Sequence, residues 1–173
     1  MPQDVLSEYI DENNPTVGER VWYFINGLLV AAPPIYLYHS VFGINVFDLY
    51  WLYAVVSLAA AVVLSQAHHN VSYWLRTRLH SNREGTVTAA MINSAYGKNN
   101  KQKVESVKSG QKKCTHSESA SFAILYNNLF FLFIFFVIGF YLFPSIPRVY
   151  NYAISVVGSA ALVNFVSTQA LKR

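Results

Sequence analysis

The sequence predicts an all-α membrane protein. Four transmembrane helices are expected as two antiparallel hairpins, with a basic cytosolic helical hairpin between helices 2 and 3. Three observations lead there. Charged residues make up only 13% of the chain, against about 25% in a typical soluble domain, which leaves too few to coat a water-facing surface. The charges are also badly mixed. Residues 21–41, 47–67, 122–143 and 149–168 contain no Lys or Arg, and Asp48 is their only acid. Each run supplies the ~20 predominantly apolar residues that cross a bilayer, and none keeps a polar face for water. Finally, nine of the thirteen Lys and Arg fall in a single connection, residues 68–119.

Residues 1–20 form an acidic cytosolic tail. Asp4, Glu8, Asp11, Glu12 and Glu19 precede the first base, Arg20, so the basic start of a secretory signal peptide is missing. The first span then acts as its own targeting signal. Asn14-Pro15-Thr16 is barred from glycosylation by its proline.

Residues 21–67 form the first transmembrane hairpin. Pro33-Pro34 removes two backbone donors from the first span and predicts a kink. Gly43-Ile44-Asn45 is the tight connection to the second span, where Ser57, Ala61 and Ser65 recur at four-residue spacing and allow close helix approach.

Residues 68–119 form the basic cytosolic loop. Val71, Trp74, Leu75 and Leu79 share one helical face, with Arg76, Arg78 and Arg83 around it. This predicts an amphipathic continuation of the second helix out of the membrane. Tyr96-Gly97-Lys98-Asn99-Asn100 reads as a turn. Residues 101–119 return to the membrane with Val104 and Val107 as their only aliphatic points, so periodicity does not decide whether they are helical.

Residues 120–168 form the second hairpin. Its first span is the strongest, with seven Phe between Phe130 and Phe143. Phe143-Pro144-Ser145-Ile146-Pro147-Arg148 turns the chain into the fourth span, which carries Ser155 and Ser159. Residues 169–173 end in Lys172-Arg173. The positive-inside rule places the N-terminus, the central loop and the C-terminus in the cytosol. Little chain is left to fold on the other side.

The residues offer little catalytic chemistry. The lone Cys114 excludes an internal disulfide framework or a multi-cysteine zinc site. His39, His68, His69, His80 and His116 show no spacing that converges on a metal. No nucleophile elbow, phosphate loop or dinucleotide fingerprint occurs, and no acid lies mid-membrane as a proton relay would need. The expectation is no enzyme, no cofactor and no metal. Asn26, Asn127, Asn128 and Asn164 lie inside the spans and read as interhelical hydrogen-bonding residues. A substrate path along them, with Pro33-Pro34 as hinge, defines the alternative of a small four-helix transporter or channel. Lys98, Lys101, Lys103, Lys108, Lys112 and Lys113 lie within sixteen residues. Anionic lipid and nucleic acid phosphate both fit such a cluster, as do a protein partner and a solvated, topology-setting face.

The stretch Phe24-Ile-Asn-Gly-Leu-Leu-Val-Ala-Ala-Pro-Pro-Ile-Tyr-Leu-Tyr38 resembles the first span of the translocon-associated protein gamma subunit family, also called signal sequence receptor gamma. Ala67-His-His-Asn-Val71, Ser121-Phe-Ala-Ile-Leu-Tyr-Asn-Asn128, Asn151-Tyr-Ala-Ile-Ser155 and Val166-Ser-Thr168 are similar to it in the same order. The likeness covers residues 21–90 and 120–168. The acidic tail with Pro15, and residues 93–118 with Gly97, Gly110 and Cys114, depart from the pattern.

The resemblance implies a non-catalytic, multi-pass subunit in the endoplasmic reticulum membrane. Its partners would be alpha, beta and delta subunits, the protein-conducting channel and the lipid bilayer. It also implies that the cytosolic hairpin docks on the translating ribosome, touching ribosomal RNA and protein, and so supports co-translational translocation. On that basis Arg83, Lys98, Lys101, Lys103 and Lys108 are expected at RNA phosphates. Arg76, Arg78, Lys112 and Lys113, nearer the membrane, are expected at headgroups.

Overall fold

A computed structural model describes the backbone at residues 16–44, 47–94 and 100–171, and side chains at residues 16–44, 47–79 and 114–169. The described residues are helical and contain no strand. The elements are α1 (Val17–Phe42), α2 (Tyr50–Ser94), α3 (Asn100–Phe136), a π-helical turn (Val137–Leu142) and α4 (Arg148–Leu171). Four stretches are long and apolar enough to cross a membrane: Val17–Phe42, Tyr50–Leu79, Cys114–Leu142 and Arg148–Gln169. The helices outrun the charge-free segments because a charge-free run marks the hydrocarbon layer, whereas a helix continues into the headgroups and beyond.

α1 begins at a capping box. The Thr16 hydroxyl accepts from the Glu19 N–H at 3.4 Å, and Glu19 Oε2 accepts from the Thr16 N–H at 3.3 Å, satisfying two backbone donors that a helix start leaves free. α1 runs unbroken through Pro33 and Pro34. It stops at Gly43, whose φ of 64° is the left-handed conformation that lets its N–H reach the Tyr38 carbonyl. Arg148, at the start of α4, donates to the Phe42 carbonyl, placing a cation on the negative end of α1.

α2 is the hub and packs against the other three helices. Its buried positions, Tyr53, Val56, Ser57, Ala60, Ala61, Leu64, Ala67, His68, Val71, Ser72 and Arg76, follow one unbroken helical stripe. On α3, Thr115, Ser119, Ala123, Asn127, Phe131 and Phe135 are buried at strict four-residue spacing, a single ridge of the kind that seats in a neighbouring helix's groove. Paired contacts give directions. Tyr23–Ser72 with Glu19–Arg76, and His68–Asn127 with Arg76–Ser119, bring α1 and α3 each alongside α2. In the second set, α2 numbers rise as α3 numbers fall, so those two segments are antiparallel. Ser57–Tyr152 and Asn70–Ser167 rise together, so α4 runs parallel to α2.

The interior is more polar than the outside. Ser57, Ser72, Ser119, Asn127, Asn151, Ser155, Ser159 and Ser167 are buried, while Leu29, Trp51, Leu129, Phe133 and Phe165 are exposed. In water this would be unstable. In lipid, association rests on close packing and interhelical hydrogen bonds rather than on apolar burial. Of the small residues at four-residue spacing, Ser57 and Ala61 on α2 and Ser155 and Ser159 on α4 are buried accordingly, and Ser65 is partly so.

The π turn has a specific partner. The Phe143 N–H reaches back five residues to the Ile138 carbonyl at 3.1 Å, and the Asn151 side-chain amide donates to the Gly139 carbonyl at 2.9 Å. The Asn151 Oδ1 also accepts from the Ser155 hydroxyl at 2.9 Å. Asn151→Ala removes both bonds at a buried site. It is expected to cost about 1–2 kcal/mol, measured as a lower thermal midpoint in detergent; an unchanged midpoint would show that the turn does not depend on this amide.

Candidate functional site

The basic segment is built on two helices that leave the bundle at the same end. α2 continues past Leu79 to Ser94, and α3 starts at Asn100 and runs without a break into the third span. The return segment that periodicity left undecided is therefore helical, with Gly110 inside it. Arg83, Lys101, Lys103, Lys108, Lys112 and Lys113 lie on these helical backbones, with side chains outside the described residues; Lys98 lies outside them altogether.

At the root of this segment the structure brings together a charged cluster. Arg76 is 7% exposed. Its Nη2 donates to Glu19 Oε1 at 2.8 Å and to the Tyr23 hydroxyl at 3.3 Å, and its Nε donates to Ser119 Oγ at 3.3 Å. Tyr23 donates onward to Ser72 at 3.0 Å. His116 Nε2 also lies 2.8 Å from Glu19 Oε1. The two Glu19 oxygens thus divide their work: Oε2 closes the capping box of α1, while Oε1 holds α2 and α3. One guanidinium with several directional donors can tie three helices in this way.

Arg76 therefore does not sit open to headgroups, as its nearness to the membrane led one to expect; its guanidinium is enclosed and paired. Arg78 is exposed, with its guanidinium 4.6 Å from the Trp74 ring centre, an arrangement suited to the interface. The signal for Arg76 was present in the sequence. It continues the four-residue series Leu64, His68, Ser72 on the buried stripe, and Glu19 stands at the third position after Thr16.

The intramembrane asparagines divide similarly. Asn127 is buried, with its amide nitrogen 3.3 Å from His68 Nδ1, and so links α3 to α2. Asn26 bonds the Trp22 carbonyl of its own helix, and Asn164 accepts from Ser167 within α4. Neither makes an interhelical bond among the described residues. Asn128 is partly buried. His68, Asn70 and Asn151 supply interhelical or interelement bonds that reading by residue type overlooked. Asn70-Val71-Ser72 has the form of a glycosylation sequon; Asn70 is partly buried and donates to Ser167 at 3.3 Å, and Ser72 is fully buried, so the sequon packs against the bundle.

Among the described residues, no three His, Cys, Asp or Glu side chains come together as a metal site. The opposite end of the bundle is joined by aromatic rings: Tyr152 meets Tyr53 at 4.6 Å and Tyr38 at 5.2 Å between ring centres, both edge-on.

The sequence model of the family described as translocon-associated protein, gamma subunit (TRAP-gamma) matches residues 3–169. The match takes in the acidic tail from residue 3 and residues 93–118, the two parts whose residues depart from the pattern. A relative from Dictyostelium discoideum, named translocon-associated protein subunit gamma, is 36% identical over 167 residues, covering 96% of each chain.

Proposed function

The chain belongs to the translocon-associated protein gamma family, and from that premise we propose that it is a non-catalytic subunit of the translocon-associated complex in the endoplasmic reticulum membrane. It docks that complex on the translating ribosome and supports co-translational translocation. The observation that carries the docking role is the basic segment mounted on two helices continuous with membrane spans. From Leu79 to Ser94 an α-helix advances about 22 Å, enough to lift cations clear of the headgroups. Arg83, Lys98, Lys101, Lys103 and Lys108 contact RNA phosphates, which supply affinity without sequence reading. Arg78, Lys112 and Lys113 stay with anionic headgroups, each contributing about 1 kcal/mol. The bundle anchors alpha, beta and delta partners beside the protein-conducting channel, and the ribosomal contact includes RNA and protein.

The N-terminus, the basic segment and the C-terminus lie in the cytosol. A glycosylation acceptor engineered near Lys101 is expected to stay unmodified in microsomes, while one placed in the connection between α1 and α2, extended to clear the membrane, is modified. The reverse pattern would invert the topology and remove the ribosome from reach. Lys98→Glu/Lys101→Glu/Lys103→Glu is expected to release the complex from ribosomes at moderate salt while leaving the bundle folded. Undiminished association would reject these lysines as the contact.

A further inference from the structure

The Glu19–Arg76 pair lies where the two emerging helices leave the bundle, and it joins all three helices that meet there. α2 and α3 pass through this point without a break, to Ser94 and from Asn100. A small tilt of either helix at the root is therefore carried along a continuous rod. Arg76 sits on α2 at the exit, Ser119 faces it from α3 at 3.3 Å, and Glu19 meets it from α1 at 2.8 Å. Glu19 is itself fixed by the capping box, so its carboxylate is a stationary post rather than a mobile side chain. His116, one turn before Ser119, reaches the same Glu19 oxygen at 2.8 Å. α3 is thus tied to the post both directly and through Arg76.

We infer that Glu19 and Arg76 are positioning residues: a partly buried clamp that sets the direction of the basic helical segment relative to the membrane bundle. A buried ion pair is a poor device for raising stability, but removing one partner is strongly felt. Its better-attested use is to select one arrangement among several apolar packings of similar energy. That use fits here. The buried residues of the root include the small side chains Ser72, Thr115 and Ser119, which resist sliding weakly. The clamp matters for function only if the segment docks on the ribosome, so its value to the protein rests on the reading above, although the geometry does not.

Glu19→Gln separates the charge from the cap, because glutamine at the third helical position still closes a capping box. The measurement is the distance distribution between spin labels in nanodisc-embedded protein carrying Cys114→Ser. One pair, Tyr36→Cys with Ser106→Cys, spans bundle and basic segment. A control pair, Tyr36→Cys with Phe165→Cys, lies on exposed positions of the bundle alone. Glu19→Gln is expected to broaden the first distribution and shift its maximum while leaving the control unchanged. Ser119→Ala should broaden it less, and Thr16→Ala, which removes a cap bond but no charge, should leave it as it was. Unchanged distributions in Glu19→Gln would overturn the clamp. Equal broadening of both pairs would overturn it too, by showing a role in the whole bundle. Ribosome co-sedimentation of unlabelled Glu19→Gln separates the two ideas: broadening with weaker sedimentation supports both, and broadening with full sedimentation keeps the clamp but counts against docking by a directed segment.

Discussion

Arg76→Ala is expected to lower the stability of the bundle by about 3 kcal/mol, more than any substitution on the lipid face. Removing one member of a buried pair leaves the other charge uncompensated, at a cost of about 3–5 kcal/mol. The lower end applies because Glu19 is only partly buried and His116 still reaches its Oε1 at 2.8 Å. Three acceptors are involved, since Tyr23 and Ser119 lose their donor along with Glu19. Thermal unfolding in detergent reads the loss. Arg76→Met with Glu19→Met should recover most of it, because an apolar pair of similar volume carries no desolvation cost. A single variant as stable as the parent would mean that the guanidinium makes no more than a surface contact, contrary to its burial.

Gly27→Leu is expected to separate α1 from α2. A Cβ at Gly27 would lie 2.9 Å from the Ala61 carbonyl oxygen and 3.2 Å from its Cα. Both are backbone atoms, which cannot rotate away as a side-chain tip can. Overpacking of a well-filled core costs about 1–3 kcal/mol and sometimes more, and Gly27→Ala already meets that contact. Leucine adds a branched side chain beyond a Cβ that is already too close, so its effect should exceed that of alanine. At Gly18 an added Cβ meets nothing, making Gly18→Ala the matched control. A graded fall in thermal midpoint from Gly27→Ala to Gly27→Leu, with Gly18→Ala unchanged, is the expected series. Equal midpoints would show that the two helices do not approach this closely.

The parts of this fold legible in the sequence are those written in charge. No Asp, Glu, Lys or Arg occurs between Glu118 and Arg148, or between Arg148 and Lys172, and most of the third and fourth spans falls there. The charge-free rule said less about where a helix ends. α1 starts at Val17 rather than at residue 21 because its start is set by the Thr16 cap, a pattern visible as Thr16-Val17-Gly18-Glu19. The return helix was undecided because Val104 and Val107 alone give periodicity no face to measure.

The site was only partly legible. Residue type suggested that a membrane-proximal arginine belongs with headgroups, and for Arg78 nothing in the structure opposes that. For Arg76 the decisive fact is rotational: it lies four residues beyond Ser72 on the buried stripe, and Arg78 lies off it. The asparagines teach the same point. Asn127 falls on the four-residue ridge of α3 and crosses to His68, while Asn26 and Asn164 lie beside their helices' buried stripes, Asn26 donating to the Trp22 carbonyl and Asn164 accepting from Ser167 of its own helix. Interhelical partners depend on which face a residue occupies, and that face is set by neighbouring helices which a single segment does not reveal.

Co-sedimentation of the purified protein with ribosomes across a salt series tests the central claim most directly. Phosphate contacts release counterions, so binding should fall steeply with salt, and each lost contact should lower the log–log slope by about 0.7–0.9. Lys98→Glu/Lys101→Glu/Lys103→Glu is predicted to weaken binding at every salt concentration and to reduce the slope by about 2–3. Parent and variant curves that coincide, or binding indifferent to salt, would contradict docking through the basic segment.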